Sequence, residues 1–237
     1  MLSSFQKDKY LRTISLDEVK EEGQEKLLAS SVLIVGVGGL GNSVLTQLVA
    51  LGIGHIGIVD CDCINISNLP RQMLYDEKDV GKKKVQVAYE KVKDKNQDVK
   101  ITTYDVWLDK NNIEDIIKDY DLVVDATDNF ETKFLISDTC YKVQKPYVHG
   151  GVSKFDGQVF SYLPKLSPRF SELFDVVPQD KDLENDKGVF PSAPLVIASF
   201  MVQEVSKIIL GLPNVLFDSM LVINLKTLSV KRVRFKN

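Results

Sequence analysis

Cysteine and histidine are both scarce in this chain, three and two residues among 237. Cysteines at positions 61, 63 and 140 are too few and too unevenly spaced for a disulfide framework, which points to a reducing cytoplasm. The histidines supply no evident catalytic dyad: His55 opens an apolar run, and His149 precedes Gly150-Gly151 and reads as a packed histidine at a strand end. There is no excess of positive charge. A formal net charge of -3 argues against sequence-independent nucleic-acid binding, which needs a basic surface. No run approaches the roughly 20 apolar residues of a membrane span, and the polar stretch Met1–Tyr10 shows no signal peptide. Internal repeats and low-complexity tracts are also missing. What remains is a chain that is 44% apolar, enough to bury a substantial core in a soluble globular protein.

The stretch Val32-Leu33-Ile34-Val35-Gly36-Val37-Gly38-Gly39-Leu40-Gly41-Asn42 stands out. Four apolar residues in a row suit a strand covered on both faces. Gly36, Gly38 and Gly41 have the G-x-G-x-x-G spacing, which permits a tight turn, lets backbone N–H groups approach a phosphate, and packs helix on strand. The following helix adds about half a positive charge at its N-terminus. The chain therefore reads as a nucleotide binder.

Strands and helices alternate after this point. Apolar runs at His55–Asp60, Val99–Tyr104, Leu122–Asp125 and Pro146–His149 are separated by helical patterns at 42–51, 81–95, 113–117 and 131–143. Gly157–Tyr162 then reads as a strand with no helix after it. Residues 164–192 are rich in Pro, Asp and Lys and read as a loop, Leu195–Leu210 is a strong helix, and 219–224 with 228–235 suggest a closing hairpin. Residues 1–30 form an amphipathic helical arm, with Leu11, Ile14, Leu16, Val19, Leu27 and Leu28 turned to the core and Gly23 as a break. The expected fold class is α/β: a Rossmann-like, doubly wound, mostly parallel sheet extended by C-terminal antiparallel strands. We expect one domain over 1–237, with a nucleotide-binding half at 31–150 and a second half at 151–237.

Ligands gather at the carboxyl ends of strands in such sheets. Asp60, Asn68, Arg71, Lys84 and Asp128 lie just beyond those ends or in the connections there. Asp60, about twenty residues past the glycine turn, suits ribose hydroxyls. Arg71 offers a planar fork to phosphate oxygens, and Lys84 a point charge. Asp128 is a hard oxygen ligand suited to Mg²⁺. Each has a plainer reading: packing for the glycines, a solvated charge for Arg71 or Lys84 alone, and a helix cap near Phe130 for Asp128.

The ordered set of motifs resembles the ThiF/MoeB/HesA group, sulfur-carrier adenylyltransferases related to ubiquitin-activating enzymes. Gly36-Val37-Gly38-Gly39-Leu40-Gly41-Asn42 is similar to their G-x-G-G-L-G-S turn. Asn68-Leu69-Pro70-Arg71-Gln72 is similar to N-L-x-R-Q, Asp79–Lys84 to D-V-G-x-x-K, and Asp125-Ala126-Thr127-Asp128-Asn129-Phe130 to D-x-T-D-N-F. Tyr10 and Arg12 fit an opening R-Y-x-R-Q, 23–27 fits G-Q-x-K-L, and Gly157-Gln158 fits E-G-Q with Asp156 for Glu. The resemblance spans about 5–212. It implies that a small ubiquitin-like carrier ending in Gly-Gly, of the thiamine or molybdopterin type, is adenylated by ATP with Mg²⁺. By motif, Gly36, Gly38, Gly39 and Gly41 cradle the nucleotide. Asp60 holds the ribose, Asn68, Arg71 and Lys84 hold the phosphates, and Asp128 binds Mg²⁺. The resemblance further implies a homodimer in which Arg12 reaches the partner subunit's ATP.

Two departures qualify this. Where relatives carry the first C-x-x-C of a structural zinc site, this chain has Arg169 and Glu172, so no zinc site is expected. Where relatives carry a cysteine in the crossover loop, it has Glu184, so an outside sulfur donor or acceptor is expected. Cys140 reads as helix core, and Cys61 and Cys63 as poor catalytic substitutes. The competing functions are an NAD-dependent oxidoreductase, which leaves Arg71, Lys84 and Asp128 without roles, and a non-catalytic partner subunit, which should have lost them. Adenylation of a short peptide in natural-product biosynthesis stays open.

Overall fold

The computed structural model describes residues 1–174 and 188–235. Its sheet contains eight strands in the order β3-β2-β1-β4-β5-β6-β7-β8. These are β1 (Ser31–Val35), β2 (His55–Val59), β3 (Lys100–Tyr104), β4 (Leu122–Asp125), β5 (Tyr147–Ser153), β6 (Asp156–Tyr162), β7 (Ser219–Asn224) and β8 (Ser229–Arg234). The first five pair in parallel and the last three antiparallel, as expected from the sequence.

The apolar run of β1 is explained by its two faces. Val32 and Ile34 pack with helices α4 (Gly39–Leu51), α5 (Lys84–Val92) and α9 (Ser192–Leu210). Leu33 and Val35 point the other way, into a second core with α6 (Ile113–Ile117), α7 (Phe130–Val143) and α8 (Phe170–Leu173). Side chains alternate along a strand, so a strand covered on both sides must be apolar throughout.

Several details differ from the expectations. The arm folds as α1 (Ser4–Lys9), α2 (Leu11–Ile14) and α3 (Lys20–Ala29). Leu27 is buried, but Leu11 and Leu16 are each 53% exposed, and Tyr10 and Leu2 take the buried places. Short helices with a turn between them do not keep one 3.6-residue stripe in register. Gly23 is no break: it lies within α3, where a Cβ would come within 3.1 Å of Leu210. β5 runs four residues past His149, because β6 pairs with it all the way to Ser153. Helix α9 begins at Ser192 and has the length and composition of a membrane span, contrary to the expectation of no such run. It packs on α4, β5 and β6.

Candidate nucleotide site

β1 is flanked by β2 and β4, so the chain's progress across the sheet reverses there. The crevice at such a switch point is where α/β sheets bind ligands. Gly36 leaves β1 with φ +88°, and a Cβ there would lie 2.8 Å from the Ala126 carbonyl oxygen. The glycine turn and the loop after β4 are thus pressed together. The N-cap of α4 is Gly38, with no side-chain cap bond. The opening N–H groups of a helix have no intrahelical partner, so this end is a ready anion cradle.

Asp60 braces the turn. Its Oδ2 accepts a 2.8 Å hydrogen bond from Val37 N–H, and its Oδ1 a 2.9 Å bond from Asp62 N–H. Burial raises its carboxyl above the ordinary value, opposed by the Lys84 charge and by these two N–H groups. Lys84 opens α5 and is buried rather than a solvated surface charge. Its Nζ lies 2.8 Å from Asp62 and 4.0 Å from Asp60. Buried Tyr75 donates 2.8 Å to the Val37 carbonyl and bridges toward the Lys84 carbonyl at 3.4 Å.

The 66–72 segment lies alongside. Asn68 Oδ1 accepts from Asn65 N–H at 2.9 Å in a capping box, so its side chain shapes the turn. Arg71 donates from Nη1 to the Ser67 carbonyl at 2.8 Å, leaving its other donors unassigned. A Cβ on Gly39 would meet Pro194 at 3.3 Å and the Arg71 carbonyl oxygen at 3.6 Å. Gln72 is buried, its Oε1 has no partner among the described residues, and its Nε2 would lie 3.6 Å from a Cβ on Gly38.

On the β4 side, Asn129 rather than Asp128 caps α7, accepting from Thr132 N–H at 2.9 Å. Asp128 is exposed and has no hydrogen bond or ion pair to another described residue. An exposed, uncommitted carboxylate beside a phosphate cradle has the chemistry of a Mg²⁺ ligand. Behind it Asp125 is fully buried. It is held well below the carboxylate range because, against the raising effect of burial, Lys133, His149 and Thr127 all favour its charge. Arg12 stands apart, exposed on α2, with no ion pair or hydrogen bond from its side chain to a described residue.

Sequence reasoning missed Tyr75, Asp62, Lys133 and Asp125 as working groups. Gln72 had a signal in its motif; Tyr75 and Asp62 had none, since their partners are distant in the chain. His149 is packed, as expected, but lies within β5 rather than at its end, and Cys140 is core. Arg169 and Glu172 form an ion pair in which Nε and Nη2 both donate to Oε1, at 3.0 and 2.9 Å. Glu184 lies outside the described residues.

The parallel sheet with a glycine turn, a braced acid at the end of β2 and a free carboxylate after β4, at the β1/β4 switch, defines a Rossmann-like fold with a candidate nucleotide site. The chain belongs to the ThiF family, whose model matches residues 10–237. It is 37% identical over 237 residues to a probable molybdopterin-synthase adenylyltransferase of Gracilaria tenuistipitata, covering 98% of this chain and 66% of that one. It is 40% identical over 212 residues to the sulfur carrier protein adenylyltransferase of Thermus thermophilus, covering 86% and 78%. The chain thus spans just under two thirds of the Gracilaria relative, and 60% of a similar protein from Porphyra purpurea. Among solved structures, PaaA superposes with a TM-score of 0.83 at 25% identity, over all of this chain and 76% of that one. Escherichia coli MccB with ATP superposes at 0.78 and 24% identity, over 89% and 64%, a likeness of fold.

Proposed function

We propose that this chain uses ATP to adenylate the C-terminal carboxylate of a small, Gly-Gly-ended, ubiquitin-like sulfur-carrier protein, releasing pyrophosphate. The observation that carries the reading is the meeting of the uncapped glycine turn, the Asp60–Lys84 pair and the Asp128 loop at one switch point. The names of the family relatives, adenylyltransferases of molybdopterin synthase and of a sulfur carrier, agree with it.

In this reading the turn N–H groups and Arg71 hold the triphosphate, Asp60 the ribose, and Lys84 the charge that builds as the carboxylate oxygen bonds to the α-phosphorus. The bond from that phosphorus to the oxygen bridging the α- and β-phosphates breaks, and this oxygen leaves as a terminal oxygen of pyrophosphate. A carboxylate is already ionised at neutral pH, so no general base is required. Catalysis is then positioning and charge stabilisation. Asp128 would hold Mg²⁺, which when bound supplies positive charge against the phosphate oxygens. Arg12 is proposed to serve the partner subunit's site in a homodimer; its exposure, and that of Phe5, Leu11 and Leu16 on the same arm, supports this. Sulfur would come from an external donor, in the cytoplasm, with no structural zinc in this chain.

The test is exchange of labelled pyrophosphate into ATP, with Gly-Gly-ended carriers, short peptides and NAD as separate arms. Carrier-dependent exchange supports the proposal. Exchange with peptides alone would move the substrate to that class, and NAD binding without ATP binding would overturn it.

A further inference from the structure

A buried polar cluster lies behind the Asp128 loop, and the proposed nucleotide contacts do not use it directly. Asp125 ends β4 at 1% exposure. Its Oδ1 accepts the Thr127 N–H at 3.1 Å and the Thr127 hydroxyl at 2.6 Å. Lys133, buried on α7, lies 3.3 Å from the other oxygen and donates 3.2 Å to the Gly150 carbonyl. His149, directly opposite Asp125 in the β4–β5 register, places Nδ1 2.7 Å from Asp125 Oδ2.

His149 is wholly buried against Phe160 and Phe170, with ring centroids 4.8 and 5.1 Å away. Facing a carboxylate, Nδ1 carries the proton and donates it, leaving Nε2 to accept from the Gln158 amide at 3.4 Å. Burial and the neighbouring Lys133 charge lower the imidazole pKa against the raising effect of Asp125, which favours the neutral ring.

Buried ion pairs are poor devices for stability, since apolar residues of equal volume often do as well. Their use lies in fixing one arrangement, and this cluster touches two functional pieces. On one side Thr127 adjoins Asp128. On the other, Gly150 and Gln158 belong to the β5–β6 hairpin. The hairpin turn clasps residues 188–190: Lys154 N–H donates to the Gly188 carbonyl at 2.7 Å, and Phe190 N–H to the Lys154 carbonyl at 2.8 Å. The rings of Phe155 and Phe190 stack at 4.8 Å.

We infer that Asp125, Lys133 and His149 are positioning residues that couple the Asp128 loop to the β5–β6 hairpin, so that the nucleotide loop and the hairpin are held or released together. Only the catalytic readout below rests on the proposed adenylation; the coupling does not.

The experiment compares wild type, His149→Phe and His149→Asn by amide hydrogen exchange over 126–129 and 150–158, and by carrier-dependent pyrophosphate exchange. Phe keeps a flat ring of somewhat larger size and removes both hydrogen bonds; the Asn amide can replace the Nδ1 donor. In His149→Phe both segments should exchange faster together, by about tenfold. Its kcat should fall about tenfold while KM for ATP moves less than about threefold, the size of effect seen when outer partners of a site are lost. His149→Asn should restore both. If only one segment changes, or neither, or if Asn behaves like Phe, the inference is overturned. Should His149→Phe fail to fold, Gln158→Leu removes only the outer hydrogen bond and must move the same two segments. A wild type inactive in pyrophosphate exchange would defeat the adenylation proposal, and the amide exchange would still decide the coupling.

Discussion

Gly41 rests on the carbonyl of Gly36: a Cβ at position 41 would lie 1.8 Å from that oxygen. An alanine elsewhere in a helix interior stabilises relative to glycine by up to about 1 kcal/mol. Here the sign should reverse. Gly41→Ala must push α4 off the turn, at about 1–3 kcal/mol by the usual cost of overpacking. Chemical denaturation checks the stability, and calorimetric titration should show ATP binding weakened with it, because the same displacement moves the N–H cradle.

Asp128 and Arg71 should separate function from stability. Neither side chain supports the core: Asp128 has no described partner, and Arg71 gives one hydrogen bond to a nearby carbonyl. Asp128→Ala and Arg71→Ala should keep their stability within about 0.5 kcal/mol, as surface substitutions do. Pyrophosphate exchange should fall by about 100-fold or more, the loss expected when one charge-stabilising group is removed. Activity retained in Asp128→Ala would remove that residue from the mechanism.

The buried cluster makes stability depend on pH with a definite sign. The folded pKa of His149 is lowered, so below about pH 6.5 the unfolded chain binds a proton that the folded chain resists. Stability should therefore fall as pH drops through that value toward the folded pKa. Asp125 adds a second loss at lower pH. Its folded pKa is depressed, so its contribution is complete above the unfolded value of about 4 and disappears below it. Denaturant midpoints at pH 7.5 and 5.5 should differ in wild type, and the difference should shrink in His149→Asn, which has no imidazole to titrate there.

Tyr10 pins the arm that carries Arg12. Its hydroxyl donates to Asp98 at 3.0 Å, accepts from Asn96 at 2.9 Å, and is pushed up to about 12, chiefly by burial. Tyr10→Phe should cost about 1 kcal/mol, the usual net value of one hydrogen bond. Limited proteolysis should cut the arm faster. If the homodimer proposal holds, exchange activity should fall in parallel while ATP affinity of the isolated subunit stays the same.

The parallel half of the sheet was legible because its signals are local. A strand covered on both faces must be apolar at every position, and the glycine spacing, the order of strands and helices, and the sites of Asp60 and Asp128 after strand ends are all written in short windows. The exposed Leu11 and Leu16 show where local reading fails: a helical stripe states only that a face exists, and the packing of α1 to α3 decides whether it is covered. Lys84 shows the same for charge. As a residue it is ordinarily solvated; only the pairing of the 60–62 turn with the start of α5 buries it against two carboxylates.

The sequence by itself thus determined the glycine turn and the family, because backbone geometry and ordered motifs depend on neighbours within a few positions. The tertiary structure alone decided which charges are buried and what they hold. Asp125, Lys133 and His149 stand 8 and 24 positions apart on a strand end, a helix and the adjacent strand. Their low-dielectric meeting exists only once parallel pairing sets Asp125 opposite His149 and α7 folds Lys133 back over the strand end.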